Sequence, residues 1–233
     1  MELAFENYCF NLKYGCINCI IGNGLPLEKL SLECQENNNV EMICYPVTNC
    51  FLYKTVKKQL EFSFENSHRH NKDKIIDVFK IIGLDESYLN RRIDTLSSSE
   101  LYLIALACVF IVNPQIIIFD NPDKYLDINH LNVFLKAIRT IKRRYKKTII
   151  IFSNDSDFVH MIADYMFVID KSGVLKEGNK YDVFSDVKII KDLHLDLPKI
   201  IHLENLVLKE KKIDIGFRDN INDLIKDIYY FSN

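Results

Sequence analysis

The chain has 233 residues, 48% hydrophobic and 27% charged, which is the composition of a globular domain and excludes a disordered or fibrous chain. A net charge of −2 gives no overall basic field for nucleic acid, and the longest apolar run, Leu101–Val112, is too short to cross a bilayer. Seven scattered cysteines suit free thiols in a reducing compartment better than a disulfide framework, and acids at Glu2 and Glu6 with no basic region argue against a secretory leader. In chain order, residues 3–12 and 16–21 read as strands leading into Gly22-Asn23-Gly24, and Cys16-Ile-Asn-Cys19 within them reads as core packing. Val40–Cys44 is a further short strand. Residues 72–83 space Ile75, Ile76, Phe79 and Ile82 as a helix that Gly83 closes. His68 and His70 fall in a polar stretch taken as a surface loop. Leu101–Val112 is a helix apolar nearly all round, and Ile116–Phe119 is a buried strand ending in Asp120.

An amphipathic helix with Leu131, Phe134, Leu135, Ile138 and Ile141 on one face follows. The five basic residues within Lys142–Lys147 are read as its solvated end, complementing the helix dipole, rather than as a nucleic-acid patch. Thr148–Phe152 is a second buried strand, Asp157–Ala163 a short helix, and Tyr165–Asp170 with Val174–Lys176 a hairpin. From Asp182 onward the pattern is helical. Apolar strands alternating with helices predict an α/β fold with a mostly parallel sheet. Such sheets bind ligands at the carboxyl ends of their strands. That singles out Gly22-Asn23-Gly24, Asp120 and Ser153-Asn154, each directly after a strand. No metal site is expected.

One series carries more information than its parts. Leu96-Ser97-Ser98-Ser99-Glu100, the apolar helix, Asn113-Pro114, Ile116–Phe119-Asp120-Asn121-Pro122 and Leu126-Asp127 resemble, in order and spacing, the signature loop, Walker B strand and D-loop of ABC (ATP-binding cassette) ATPases. The resemblance implies a P-loop NTPase-like α/β fold with a helical subdomain. Within that family the chain looks most like the ATPases of energy-coupling factor (ECF) vitamin transporters. Phe51–Val56, Phe62–Asn66, Gly178–Asp186 and Leu195–Pro198 carry that likeness, over about residues 40–200. It implies a cassette over 1–185, with its helical subdomain at about 57–110, and a C-terminal helical extension over 186–233.

Against the family's motifs the chain departs in several places. It starts too late for the family's first strand and adenine-stacking aromatic, and has little sequence between Gly24 and Val40 for further sheet. A phosphate loop G-x-x-x-x-G-K-[ST] cradles phosphates with backbone N–H groups, neutralises them with Lys and holds Mg²⁺ through a hydroxyl. Counted from Gly22, the second glycine is Leu27, the lysine Glu28 and the hydroxyl Lys29, with Pro26 removing an N–H. A carboxylate ~4 Å from a phosphate charge is repelled by about 4 kcal/mol at an effective dielectric near 20. Asp120 keeps the magnesium-side aspartate. The glutamate that follows it in the family is Asn121, the switch histidine is Asn154, the Q-loop glutamine is Tyr45, and the signature glycines and glutamine are Ser98, Ser99 and Glu100. An amide orients water but does not take its proton, so this chain's own hydrolytic site is expected to be inactive.

The resemblance also implies partners. ABC ATPases work as dimers, each nucleotide lying between one subunit's phosphate loop and the other's signature loop. Ser97, the N–H groups of Ser98 and Ser99, and Asp127 of the D-loop would then serve a competent ATPase in trans, so that ATP and Mg enter only at the shared interface. A transmembrane coupling subunit would sit in the groove near Tyr45–Leu52, placing the chain on the cytoplasmic face of the membrane. The rival expectation is a nucleotide-independent scaffold or regulatory module that keeps the fold.

Overall fold

Strands that are apolar at every position must be covered on both faces, and a computed structural model of the chain arranges them so. It describes residues 2–5, 7–24, 27, 30–31, 39–44, 46–65, 73–212 and 216–232. β3 (Ile17–Gly22), β4 (Val40–Ile43), β5 (Ile116–Asp120), β6 (Thr148–Phe152) and β7 (Tyr165–Asp170) run parallel, and β8 (Gly173–Gly178) returns antiparallel to β7. Their order across the sheet is β4-β5-β6-β3-β7-β8. Cys19, Ile21, Ile117, Phe119, Ile149 and Ile151 face the larger core. Their neighbours Ile20, Ile118, Ile150 and Phe152 face a smaller one closed by Tyr8, Phe10, Leu12 and Leu30. Full burial of each such side chain contributes about 1.5–3 kcal/mol, so both layers are needed to hold the sheet. Cys19 is fully buried, and burial pushes its thiol pKa far up, in keeping with the packing role read for the C-x-x-C pair. Cys16, Cys19, Cys44, Cys50 and Cys108 carry free thiols.

The run 3–12 is not one strand. It forms a hairpin, β1 (Glu2–Phe5) against β2 (Tyr8–Asn11), separate from the main sheet. Tyr8 and Phe10 alternate inward with Cys9 and Asn11 outward, so only one face of β2 is buried.

Three helices pack between β4 and β5 in sequence: α1 (Val56–Glu65), α2 (Asp73–Ile82) and α3 (Ser98–Val112). Buried residues of α3 include Tyr102, Leu103, Ile104, Ala105, Leu106 and Ala107 in one unbroken run, so it is enclosed on nearly every side. Asn113 ends it in a left-handed conformation (φ 63°) before Pro114. α4 (Ile128–Tyr145) buries Phe134, Leu135, Ala137, Ile138 and Ile141. Lys142, Arg143 and Arg144 occupy its last turn, where cations suit the helix dipole, and Lys142 Nζ lies 2.6 Å from Asp164. After α5 (Ser156–Ile162) and the β7–β8 hairpin come α6 (Lys180–Phe184), α7 (Val187–Asp192), α8 (Lys199–Lys211) and α9 (Ile221–Ser232). Among the described residues no helix is long and apolar enough to cross a membrane.

Candidate functional site

Because β5, β6 and β3 are adjacent and parallel, Asp120, Ser153-Asn154 and Gly22 arrive together at one edge of the sheet. Gly22 has φ +120°, and a Cβ there would stand 1.9 Å from the carbonyl oxygen of Ile169. Gly24 (φ +118°) is pressed in the same way against the backbone of Lys171, 3.0 Å from where its Cβ would lie. Both glycines are therefore required by the close approach of the loop to β7 and the turn after it. Asn154, at the switch-histidine position, reaches across to the same loop. Its Oδ1 accepts from the Gly22 N–H at 2.8 Å, and its Nδ2 donates to the Gly22 carbonyl at 3.2 Å. With the Ser153 N–H donating to the Ile20 carbonyl at 3.2 Å, the side-chain amide adds one more rung to the β3–β6 ladder.

Asn121 takes a left-handed conformation (φ 43°), and its N–H donates to the Phe152 carbonyl at 2.8 Å. Its Nδ2 donates to Asp120 Oδ1 at 2.5 Å, so one oxygen of that carboxylate is engaged by its own neighbour. Asp123, which the sequence pattern did not single out, is half-buried close by. Burial raises its carboxyl pKa against a hydrogen bond from Ser153, and its Oδ1 has no partner among the described residues. Pro26, Glu28, Lys29 and Tyr45 lie outside the described residues.

The signature segment forms a second cluster. Ser97 is the N-cap of α3: its Oγ accepts from the Glu100 N–H, while the Ser97 N–H donates to Glu100 Oε2 at 2.7 Å, a reciprocal capping box. The other oxygen of Glu100 accepts from Tyr88 Oη and Arg91 Nη1, both at 2.7 Å. Burial works against this charge. The Ser97 N–H, the Tyr88 hydroxyl and the Arg91 guanidinium outweigh it and hold the carboxyl pKa at about 2. This acid is thus satisfied within its own loop. Ser98 and Ser99 lie in the first turn of α3, where no intrahelical carbonyl reaches their N–H groups. Ser99 is buried, and its Oγ donates to the Tyr125 carbonyl and accepts from the Asp127 N–H, both at 3.0 Å. Asp127 caps α4: Oδ1 accepts from the Asn129 and His130 N–H groups, and Oδ2 meets the His130 ring at 2.5 Å. The His130 backbone N–H, then its ring, bring the Asp127 carboxyl pKa to about 2. Tyr88, Arg91 and Tyr125 carry no motif and were not legible as members of this cluster.

Beyond β4, the buried Gln59 accepts from the N–H groups of Leu52 and Tyr53 through Oε1, at 2.9 and 3.2 Å. It fixes a loop on which Leu52 is 72% exposed and Tyr53 40%. Phe51, expected to share that surface, packs partly against the core instead.

No protein-family model matches the chain. An ECF transporter ATP-binding protein EcfA2 of Staphylococcus epidermidis is 28% identical over 166 residues, 70% of this chain and 57% of that protein. An EcfA1 of Mycoplasma mobile is 28% identical over 188 residues, covering 79% and 68%. The chain thus spans little more than half the length of the S. epidermidis relative. Among solved structures, cbiO1 of Clostridium perfringens, part of the ABC transporter complex cbiONQ, superposes with a TM-score of 0.68 at 21% identity, over 88% of this chain and 96% of that one. MJ0796, a bacterial ABC transporter cassette solved as a dimer, gives 0.62 at 15% identity, over 74% and 89%.

Proposed function

We propose that this chain, an ABC ATPase cassette by fold and similar in sequence to ECF transporter ATP-binding proteins, is a degenerate ATPase subunit of an ECF-type importer. It lends its signature loop to a competent ATPase partner, grips a transmembrane coupling subunit, and sits at the cytoplasmic face of the membrane. The observation that carries this reading is the asymmetry of its two half-sites. On the phosphate-loop side the Gly22 N–H is bonded to Asn154, one oxygen of the Asp120 carboxylate to Asn121, and the lysine and hydroxyl positions are Glu28 and Lys29. That donor set does not fit Mg-ATP. On the signature side the helix start is capped, the Glu100 carboxylate is paired with Arg91, and the Ser98 and Ser99 N–H groups lie at the positive end of a 15-residue helix. That side suits a phosphate held by another subunit.

The same proposal assigns 1–185 to the cassette, with about 57–110 as its helical subdomain, and 186–233 to a C-terminal extension that includes α8 and α9. The exposed Leu52 and Tyr53, fixed by Gln59, are the surface offered to the coupling subunit. The test is to purify the chain with its native partners and measure ATP hydrolysis by the complex. Ser97→Arg blocks the shared interface and is expected to lower the rate at least tenfold, whereas Glu28→Ala leaves it within twofold. A complex that hydrolyses ATP at an unchanged rate with Ser97→Arg makes the chain a nucleotide-independent scaffold.

A further inference from the structure

We infer that Ser99, standing where the family's signature carries glycine, is a positioning residue that ties the signature loop to the D-loop of the same chain. The inference rests on the trans-signature role proposed above and adds to it a path by which occupancy of that loop reaches Asp127. A glycine at this position has no side chain with which to make the connection. Here the hydroxyl closes a bridge between two segments 26 and 28 residues apart, donating to the Tyr125 carbonyl and accepting from the Asp127 N–H.

The segment it grips is held at each residue. The ring of Tyr125 stacks on Tyr102 of α3 at 5.9 Å and 9°. Leu126 is buried in the core. Asp127 is the N-cap of α4, so its backbone position sets where that helix begins. The Ser99 side chain points into the protein while its N–H belongs to the first helical turn of α3. One residue thereby has its backbone at the anion-facing helix start and its hydroxyl on the D-loop. A shift of the α3 start on closing over a phosphate carries Tyr125–Asp127 with it, because interior groups this closely packed move together.

The experiment is hydrogen exchange on the complex purified with its native partners, with and without Mg-AMP-PNP. In the unsubstituted complex the nucleotide should slow exchange both at residues 97–100 and at 125–129. Ser99→Ala should keep the first protection within twofold and reduce the second about tenfold, with kcat for ATP falling several-fold and KM unchanged. Ser99→Thr, which retains the hydroxyl, should restore the coupled protection, and a melting curve for each variant separates this from simple destabilisation. If Ser99→Ala does not assemble, Ser99→Gly is measured in its place with the same expectation. Undiminished protection at 125–129 without the hydroxyl overturns the link and leaves the trans-signature reading standing. No nucleotide-dependent protection at 97–100 in the unsubstituted complex overturns both.

Discussion

Replacing Glu100 by glutamine, the residue of the family's signature, is expected to weaken this fold. The three groups that converge on the carboxylate are all donors: Ser97 N–H on Oε2, and Tyr88 Oη and Arg91 Nη1 on Oε1, each at 2.7 Å. A carboxamide offers one accepting oxygen and, in place of the other, an NH₂ group that only donates. Whichever way it is turned, its NH₂ group faces another donor, and the Arg91 charge loses its counter-charge. A hydrogen bond to a charged group contributes about 1.5–3 kcal/mol, so the expected loss is about 2 kcal/mol. For a domain of this size that lowers Tm by about 4–8 °C at neutral pH. The effect carries its own pH signature. The carboxyl titrates at its ordinary 4.5 when unfolded and at about 2 in the folded chain. Its folded pKa is depressed, so the stabilisation is complete above about 4.5 and is lost as pH falls toward about 2. Urea titrations of both proteins at pH 7, 5, 4 and 3 should show a gap that is full at the first two and narrows at the last two. A glutamine variant as stable as the parent at pH 7, or a gap that grows on acidification, refutes the reasoning.

Three further outcomes are expected. The isolated chain should show no micromolar affinity for Mg-ATP by calorimetry, given Glu28 and Lys29 in the loop and Asn154 on the Gly22 N–H; a dissociation constant in that range refutes the assignment of the loop. Gly22→Ala places a methyl 1.9 Å from the Ile169 carbonyl oxygen at φ +120°, and should cost about 4 kcal/mol, read as a Tm drop of more than about 8 °C; a smaller loss means the loop can move away from β7. Leu52→Ser, at a side chain 72% exposed, should leave Tm within about 2 °C yet release the membrane partner on purification; undiminished copurification puts the docking surface elsewhere.

How much of this was legible depended on the distance over which the information is carried. The buried strands could be read because Ile116–Phe119 and Ile149–Phe152 are unbroken apolar runs, which a sheet covered on both faces requires. The site edge followed from strand direction, and the helix over Leu101–Val112 from its apolar run. The hairpin at β1–β2 was missed because Glu2–Phe5 and Tyr8–Asn11 are each four residues, too short for alternation to mark a break. The hydrogen bonds within the site were not legible at all. Arg91 and Tyr88 reach Glu100 from 9 and 12 residues away through two short 3-10 turns, and Asn154 reaches Gly22 across 132 residues. Periodicity reports which face a residue presents, whereas such bonds depend on how separate elements meet.

That difference bears on what the motif departures mean. A side chain exchanged at a catalytic position with nothing else adjusted leaves an orphaned donor or a poorly filled space, and buried polar groups without partners cost about 1–3 kcal/mol each. The substituted positions here that fall among the described residues are mostly satisfied. Asn154 pairs with the Gly22 peptide, Asn121 with Asp120 and the Phe152 carbonyl, Ser99 with Tyr125 and Asp127, and Glu100 with Ser97, Tyr88 and Arg91. The bonds do not fall alike on the two halves. On the phosphate-loop side they occupy the Gly22 peptide and one oxygen of the Asp120 carboxylate. On the signature side they engage the Ser97 hydroxyl and N–H and the Asp127 carboxylate in caps that hold the helix starts, and no intrahelical carbonyl competes for the Ser98 and Ser99 N–H groups. The trans-signature proposal expects such a division, with a loop that lacks the lysine and hydroxyl of a phosphate cradle and a signature turn held firm by its own caps.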